Sequence, residues 1–319
     1  MGGLLIFCVG TIVFDTILVV KKLALVNDAV VADEYKRTFG GAAANCAVTI
    51  KKLSIESGLI SVVGNNDFHH GYEGYLKDLM IDTKFVLKVP DGYSPRSILI
   101  TRVPDGAQQI YFYEDKINYE KILESNISNI LNNLDKCKIL HFTTGYYDFY
   151  KKFLIKLKDS KKDIVISFDP GQQTLTQPEK VIEILSYVDF LFMNEFENKK
   201  LCDVLNVDNI MKYKKFKLSC VSLGKNGCEI FYNGVNYKIP AIPPEKFVDS
   251  TGAGDSHRGA FLASYLMGFE FIDCAYIAAS VSSFVLERDG AQTNLPNLDM
   301  AIERAKRFTN SSFKVLHQS

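Results

Sequence analysis

Short uninterrupted apolar runs recur along the chain, and between them lie stretches in which apolar residues return every three or four positions. The runs are Leu4 to Val9, Leu59 to Val63, Ile139 to Phe142, Ile164 to Phe168, Phe190 to Met193, Cys220 to Leu223 and Glu229 to Tyr232. Runs without polar alternation suit strands covered on both faces, as in a parallel sheet flanked by helices. Helical spacing falls at Ala43 to Leu53, Glu73 to Leu79, Tyr119 to Leu134, Phe149 to Asp159, Pro178 to Ser186 and Glu195 to Leu205. This alternation predicts βαβ units and an α/β fold with a mostly parallel central sheet. Three further helices, Gly254 to Met267, Ile272 to Glu287 and Asp299 to Phe308, are expected to finish one side of it.

Two segments break the alternation. Val13 to Val20 with Ala29 to Thr38, and Arg96 to Val103 with Gln108 to Tyr113, read as β-ribbons, the second pair joined across Pro104, Asp105 and Gly106. Four strands with no helix between partners do not fit a doubly wound sheet, so they are expected to form a small β-sheet lid within about 13–38 and 96–113 of a single 1–319 domain. Apolar ribbons with open edges need cover. The expectation is a homodimer through the lid or a lid folded onto its own main domain.

Composition narrows the function classes. Apolar residues make up 47% and charged residues 23%, which is ordinary for a soluble globular chain and excludes a disordered one. Lys plus Arg and Asp plus Glu are 37 each, so the net charge is zero and the electrostatic footprint of a nucleic-acid binder is missing. The seven cysteines are scattered without CxxC spacing, which suits reduced thiols in a cytoplasmic protein. Leu4 to Val20 lacks a cationic start and contains Gly10, Thr11 and Asp15, so it reads as a strand rather than a signal peptide. No run approaches the ~18 apolar residues of a membrane helix. The histidines show no metal pairing: His69 and His70 read as a surface loop, and His257 as a packing residue.

The most informative segment is Val248-Asp249-Ser250-Thr251-Gly252-Ala253-Gly254-Asp255-Ser256, which opens an apolar-patterned helix. Glycines there let the backbone approach a ligand and turn its amides inward, and a helix start with free amides stabilises anions. Asp255 makes chemical sense at such a position as a base that takes a proton from an alcohol only as the oxygen attacks, beside amides that hold the transferring group. A plain Asp-capped helix start fits the same spacing. Gly224-Lys225 continues into Asn226, so a P-loop is absent, and no GxGxxG follows the first strand.

DSTGAGDSHRGAF resembles the C-terminal signature of the ribokinase (PfkB) family of carbohydrate and nucleoside kinases, and Phe39-Gly40-Gly41-Ala42-Ala43-Ala44-Asn45 is similar to its other signature. The resemblance runs nearly end to end, through Gly10 and Asp15, Asn194-Glu195-Phe196-Glu197 and Ser222-Leu223-Gly224-Lys225-Asn226-Gly227. FGGAAAN, SFDPGQ, FLFMNEFE and GAQTNLP look most like the archaeal nucleoside kinase subgroup.

The resemblance implies a ribokinase-like fold and ATP-dependent phosphorylation of the primary (5′) hydroxyl of a nucleoside. Asp255 would be the base, with Gly252, Ala253 and Gly254 as the anion hole. Asp15, Gly40, Gly41 and Asn45 would hold the sugar, and Asp169 and Gln172 follow a strand near the same pocket; on the lid strand, one of Tyr111, Phe112 and Tyr113 is placed to stack on a base, with Phe112 the candidate. Asn194, Ser222, Gly224 and Gly227 would receive the nucleotide. Asn194 and Glu197 would organise Mg2+ through water. Asp249 and Thr251, with the loop from Gly290 to Thr293, mark either a K+ site or two packed loops. A sugar or sugar-phosphate kinase of the ribokinase, phosphofructokinase or keto-deoxy sugar acid type stands as the alternative, with Arg96, Arg102 and Lys36 or Arg37 as cations for an extra phosphate. A non-catalytic ligand-binding relative is the second alternative, and retention of Asp255 with both glycines counts against it.

Overall fold

The computed structural model describes residues 5–68, 71–103 and 107–315, so the expected Pro104-Asp105-Gly106 turn and the His69–His70 pair lie outside the described residues. Its strands are, in chain order, β1 (Leu5–Val9), β2 (Val13–Val20), β3 (Glu34–Gly40), β4 (Glu56–Gly64), β5 (Asp82–Val89), β6 (Arg96–Arg102), β7 (Gln108–Tyr113), β8 (Cys137–Phe142), β9 (Val165–Phe168), β10 (Phe190–Asn194), β11 (Leu218–Ser222), β12 (Cys228–Tyr232) and β13 (Val235–Ile239). They form a nine-stranded sheet, ordered β13-β12-β11-β10-β9-β8-β1-β4-β5, and a four-stranded sheet, ordered β3-β2-β6-β7.

The large sheet is parallel from β5 to β11, and β12 and β13 add an antiparallel edge. Both its faces are covered, and successive residues of β1 show how. Ile6 and Cys8 join one apolar cluster with Phe192, Phe261 and Val281; Phe7 and Val9 join a second with Phe142, Phe153 and Val181. A strand buried on both sides has no polar alternation to show, which is why these runs were continuous in the sequence. All seven cysteines are free and buried.

The small sheet departs from two simple ribbons. β2 pairs with β3 and β6 with β7, both antiparallel, and the two hairpins join through a parallel β2–β6 seam. Residues 29–33, expected to extend the second strand, are irregular, and β3 begins at Glu34.

Other differences have local causes. The expected Tyr119 to Leu134 helix is two short helices, Tyr119–Ser125 and Ile127–Leu131, parted at Asn126, whose amide donates to the Ile122 carbonyl at 2.9 Å. Strands β5 and β13 escaped the apolar pattern because they are the two edges of the large sheet. Edge strands keep a solvent side, and Asp82, Lys84 and Lys88 interrupt β5.

Candidate active site

In a parallel sheet the C-terminal strand ends open into a crevice where ligands sit. Thr11 follows β1, Gly145 and Tyr146 follow β8, Gln172 follows β9, Asn194 ends β10, and Ser222 and Gly224 lie at the end of β11. One helix, Ala253–Met267, aims its N-terminus at this edge.

That helix begins at Gly252, which has φ 76°. A side chain there would need the left-handed conformation and would overlap the Ala291 side chain. The first amides of a helix have no intrahelical acceptor. The Ala253 amide turns back to the Ser250 carbonyl at 3.2 Å and the Ser256 amide reaches Gly252, leaving those of Gly254 and Asp255 at the mouth. Gly254 differs from Gly252: it is helical without positive φ, and a Cβ on it would stand 2.9 Å from Arg258 Nη1. Its smallness therefore serves space beside a guanidinium, not backbone strain.

Asp255 accepts a 2.8 Å hydrogen bond from Asn45 Nδ2, so two motifs 210 residues apart meet at the same carboxylate. Burial pushes the Asp255 carboxyl up to about 6, and the Asn45 bond and Arg258 hold it down. Asn45 is buried in the helix Ala42–Lys52, whose N-cap, Gly41, has φ 96°. Beside Asp255, Arg258 Nε lies 2.8 Å from Asp169 Oδ2. Arg258 is a buried charge among apolar helix positions, and sequence reading passed over it. That placement was its only signal.

Asp15, on β2, is also buried, and its carboxyl is pushed up to about 6 chiefly by desolvation, against a 2.5 Å hydrogen bond from Ser97 Oγ. A Cβ on Gly40 would overlap this carboxylate, so the room left by Gly40 is occupied by Asp15 itself. Asp15, Ser97 and Phe112 sit opposite one another across β2, β6 and β7 and share one face of the small sheet. Phe112 and Gln172 line a cavity of about 730 Å³ together with Thr11, Gly145 and Tyr146. Tyr111 and Tyr113 point to the other face of the sheet, as alternation requires.

Asn194 and Glu197 close a capping box at the start of the helix Glu195–Leu205. Glu197 Oε2 accepts from the Asn194 amide at 2.9 Å and Oε1 from Asn194 Nδ2 at 2.8 Å. Burial, then Asp169, raises the Glu197 carboxyl above its ordinary range. Glu195 is exposed. Ser222 Oγ donates to the Met193 carbonyl at 3.2 Å, and the Gly224–Asn226 turn joins β11 to β12, with Gly227 closing it by a 2.8 Å bond from the Leu223 amide. Gly224 faces open space, with no atom within 4 Å of a Cβ built there.

Asp249 Oδ1 accepts from Thr251 N at 3.0 Å and Thr251 Oγ1 at 2.8 Å, and Oδ2 from the Gly290 amide at 3.0 Å. The carboxylate thus joins the two loops directly. Among the described residues no group of three or more His, Cys, Asp or Glu side chains converges as a metal site. His257 is buried in the helix that carries Asp255.

The model for the pfkB family of carbohydrate kinases matches residues 4–298. The chain belongs to that family. It is a kinase that transfers a phosphoryl group to an alcohol, on a nucleoside or sugar scaffold. A nucleoside kinase of Methanocaldococcus jannaschii is 33% identical over 314 residues, 96% of this chain and 99% of that protein. Its crystal structure superposes with a TM-score of 0.83, covering 95% of this chain and 98% of that one. A nucleoside kinase of Methanothermobacter thermautotrophicus is 32% identical over 307 residues, 95% of each chain. The fold is also that of a Burkholderia thailandensis nucleoside kinase in complex with inosine, at 20% identity, TM-score 0.85 and coverage of 96% and 99%. Among the described residues no helix is long and apolar enough to cross a membrane.

Proposed function

We propose that this pfkB-family kinase transfers the γ-phosphoryl group of ATP to the 5′ hydroxyl of a nucleoside, with Asp255 as general base. The observation that carries this reading is the position of Asp255: at an open helix mouth, held by Asn45, and near enough to Asp15 on the small sheet and to Glu197 just past the end of β10 for their charges to act on one another. The acceptor enters the cavity, and its sugar reaches Asp15 and Asn45. ATP lies over Ser222, Gly224 and Gly227. Asp255 accepts the hydroxyl proton as the oxygen attacks, and the Gly254 and Asp255 amides receive the charge gathering on the transferred group.

Mg2+, when bound, supplies charge neutralisation on the phosphates. Asn194 and Glu197 fit that role through water, since their direct donors are spent on each other while Asp169, Glu197 and Asp255 outnumber Arg258. A K+ ion at the Asp249–Thr251 loop would draw on its carbonyls. The lid excludes water that would hydrolyse ATP, and its outer face, with Ile98 and Tyr111 exposed, suits a homodimer. Free buried thiols suit a cytoplasmic setting.

The two archaeal relatives named as nucleoside kinases support a nucleoside over a free sugar. A sugar phosphate would need an extra cation, and two of the candidates are already paired, Arg96 with Asp67 at 2.6 Å and Lys36 with Asp289 at 2.6 Å. The test is ADP release with ATP and magnesium against inosine, guanosine, cytidine, adenosine, ribose and fructose 6-phosphate. A nucleoside is expected to give the highest kcat/KM; ribose or fructose 6-phosphate far ahead of every nucleoside overturns the reading.

A further inference from the structure

Gln292 lies in the loop after Gly290, within the GAQTNLP segment, but its own side chain carries no expected role. It is 8% exposed, and its Nε2 donates in two directions: to Asn45 Oδ1 at 2.8 Å and to Tyr72 Oη at 3.1 Å. Tyr72, fully buried in the helix Tyr72–Asp78, donates its own hydroxyl proton to the Gly40 carbonyl at 2.7 Å. Asn45 passes the chain on to Asp255. Gly40 is the last residue of β3, so an unbroken line of hydrogen bonds joins the small sheet to the carboxylate at the helix mouth.

The direction of every bond follows from its ends. The Gly40 carbonyl and the ionised Asp255 carboxylate can only accept. Tyr72 must then donate toward Gly40 and Asn45 must donate toward Asp255, which leaves an acceptor atom of each facing Gln292. The residue between them has to donate twice. A primary amide does so; a carboxylate, thioether or hydrocarbon side chain of similar size does not. The arrangement is kept although Gln292 Oε1 is buried without a partner among the described residues, a state that costs free energy.

Building on Asp255 as the base, we infer that Gln292 is a positioning residue: it locks the Asn45 amide with its nitrogen toward Asp255 and, through Tyr72 and Gly40, ties that orientation to the small sheet. Without Gln292, the Asn45 amide is free to turn its oxygen toward Asp255, replacing a donor by a repelling lone pair. The other charged and titratable groups facing Asp255 are Asp169, Glu197 and Asp15, which disfavour its charge, Arg258, which favours it, and the neutral thiols of Cys8 and Cys46. None of them contacts Gln292 through a hydrogen bond.

The test is the pH profile of kcat, with KM for the nucleoside, in Gln292→Met, Gln292→Glu and Tyr72→Phe. Gln292→Met is expected to lower kcat by roughly 10-fold, the effect of one lost hydrogen bond to a charged group, with KM changed less than about 3-fold. Its acid limb moves to higher pH, because a carboxylate that loses a donor holds its proton more tightly. Gln292→Glu keeps volume and shape and is expected to move the limb the same way, so a misfolded Met variant leaves the question answerable. Tyr72→Phe preserves the Gln292–Asn45 bond, so its limb stays in place while kcat falls by less. An unmoved limb in folded Gln292 variants, or an equal shift in Tyr72→Phe, overturns the inference. If Asp255→Asn is inactive and the Gln292 variants are normal, only the relay fails. If Asp255→Asn is active, the reading of the base fails with it.

Discussion

Along β4, in the large sheet, eight consecutive residues are buried; along β2, in the small one, buried and half-buried residues mostly alternate. The large sheet spends both faces on packing, so its candidate groups sit at or past the strand ends: Asn194 and Ser222 close β10 and β11, and Gly252 to Asp255 open a helix. The small sheet has a face to spare, and its candidate groups, Asp15 and Phe112 with Ser97 between them, stand on the strands themselves. The two candidate carboxylates carry this contrast. Burial pushes both Asp15 and Asp255 up to about 6, but Asp255 is held by an amide from a packed helix and Asp15 by a hydroxyl within a four-stranded ribbon. One is placed by the core and the other by a sheet that has solvent on its far side.

The largest expected effect belongs to the core-placed carboxylate. Asp255→Asn keeps size and removes the proton acceptor, so single-turnover rates should fall by ~10² to 10⁴ while nucleoside affinity changes little and the fold is kept. Turnover close to wild type would remove Asp255 from its role. Next comes packing: Phe192→Ala, at a fully buried position of β10, should cost about 3–5 kcal/mol in denaturant unfolding. Ile98→Ala on β6, 44% exposed, should stay within about 0.5 kcal/mol. Equal losses would erase the distinction between the sheets.

The remaining effect is pH-dependent. With its folded pKa raised from 3.8 to about 6, Asp15 binds its proton more tightly in the native state. Its contribution to stability is therefore present at acid pH and declines as pH rises from about 4 through about 6, leaving a penalty of about 3 kcal/mol above that range. Asp15→Asn, which can still accept from Ser97, should melt higher than wild type at pH 8, the gap closing toward pH 4. A gap that widens on acidification contradicts the assigned burial cost.

What was legible in the sequence follows the same division. Strands buried on both faces announce themselves by uninterrupted apolar runs, and the loop at Gly252 by glycines that only a special backbone or a close approach requires. Edge strands β5 and β13 carry their charges for solvent and left no such trace. The helix break at Asn126 depends on a side chain turning back to a carbonyl, which periodicity does not register. The roles of Arg258 and Gln292, which both lie inside motif segments, were not legible for a different reason. Each is defined by partners far along the chain, Asp169 for one and Asn45, 247 residues away, for the other, and no local pattern encodes a meeting of that kind.

The parallel β2–β6 seam has a consequence for how the molecule assembles. A parallel pair cannot be closed by a tight turn, and here the two strands are bridged by Asp15 and Ser97, 82 residues apart. The β2–β3 and β6–β7 hairpins are local and can form early, but the seam between them waits until the intervening chain, including β4 and β5 of the large sheet, has folded and brought their edges together. The part of the small sheet that carries Asp15 is thus expected to be completed late on the folding path. By the same logic the seam is expected to part early under denaturing stress, so β2 and β6 should lose their amide protection before the large sheet does.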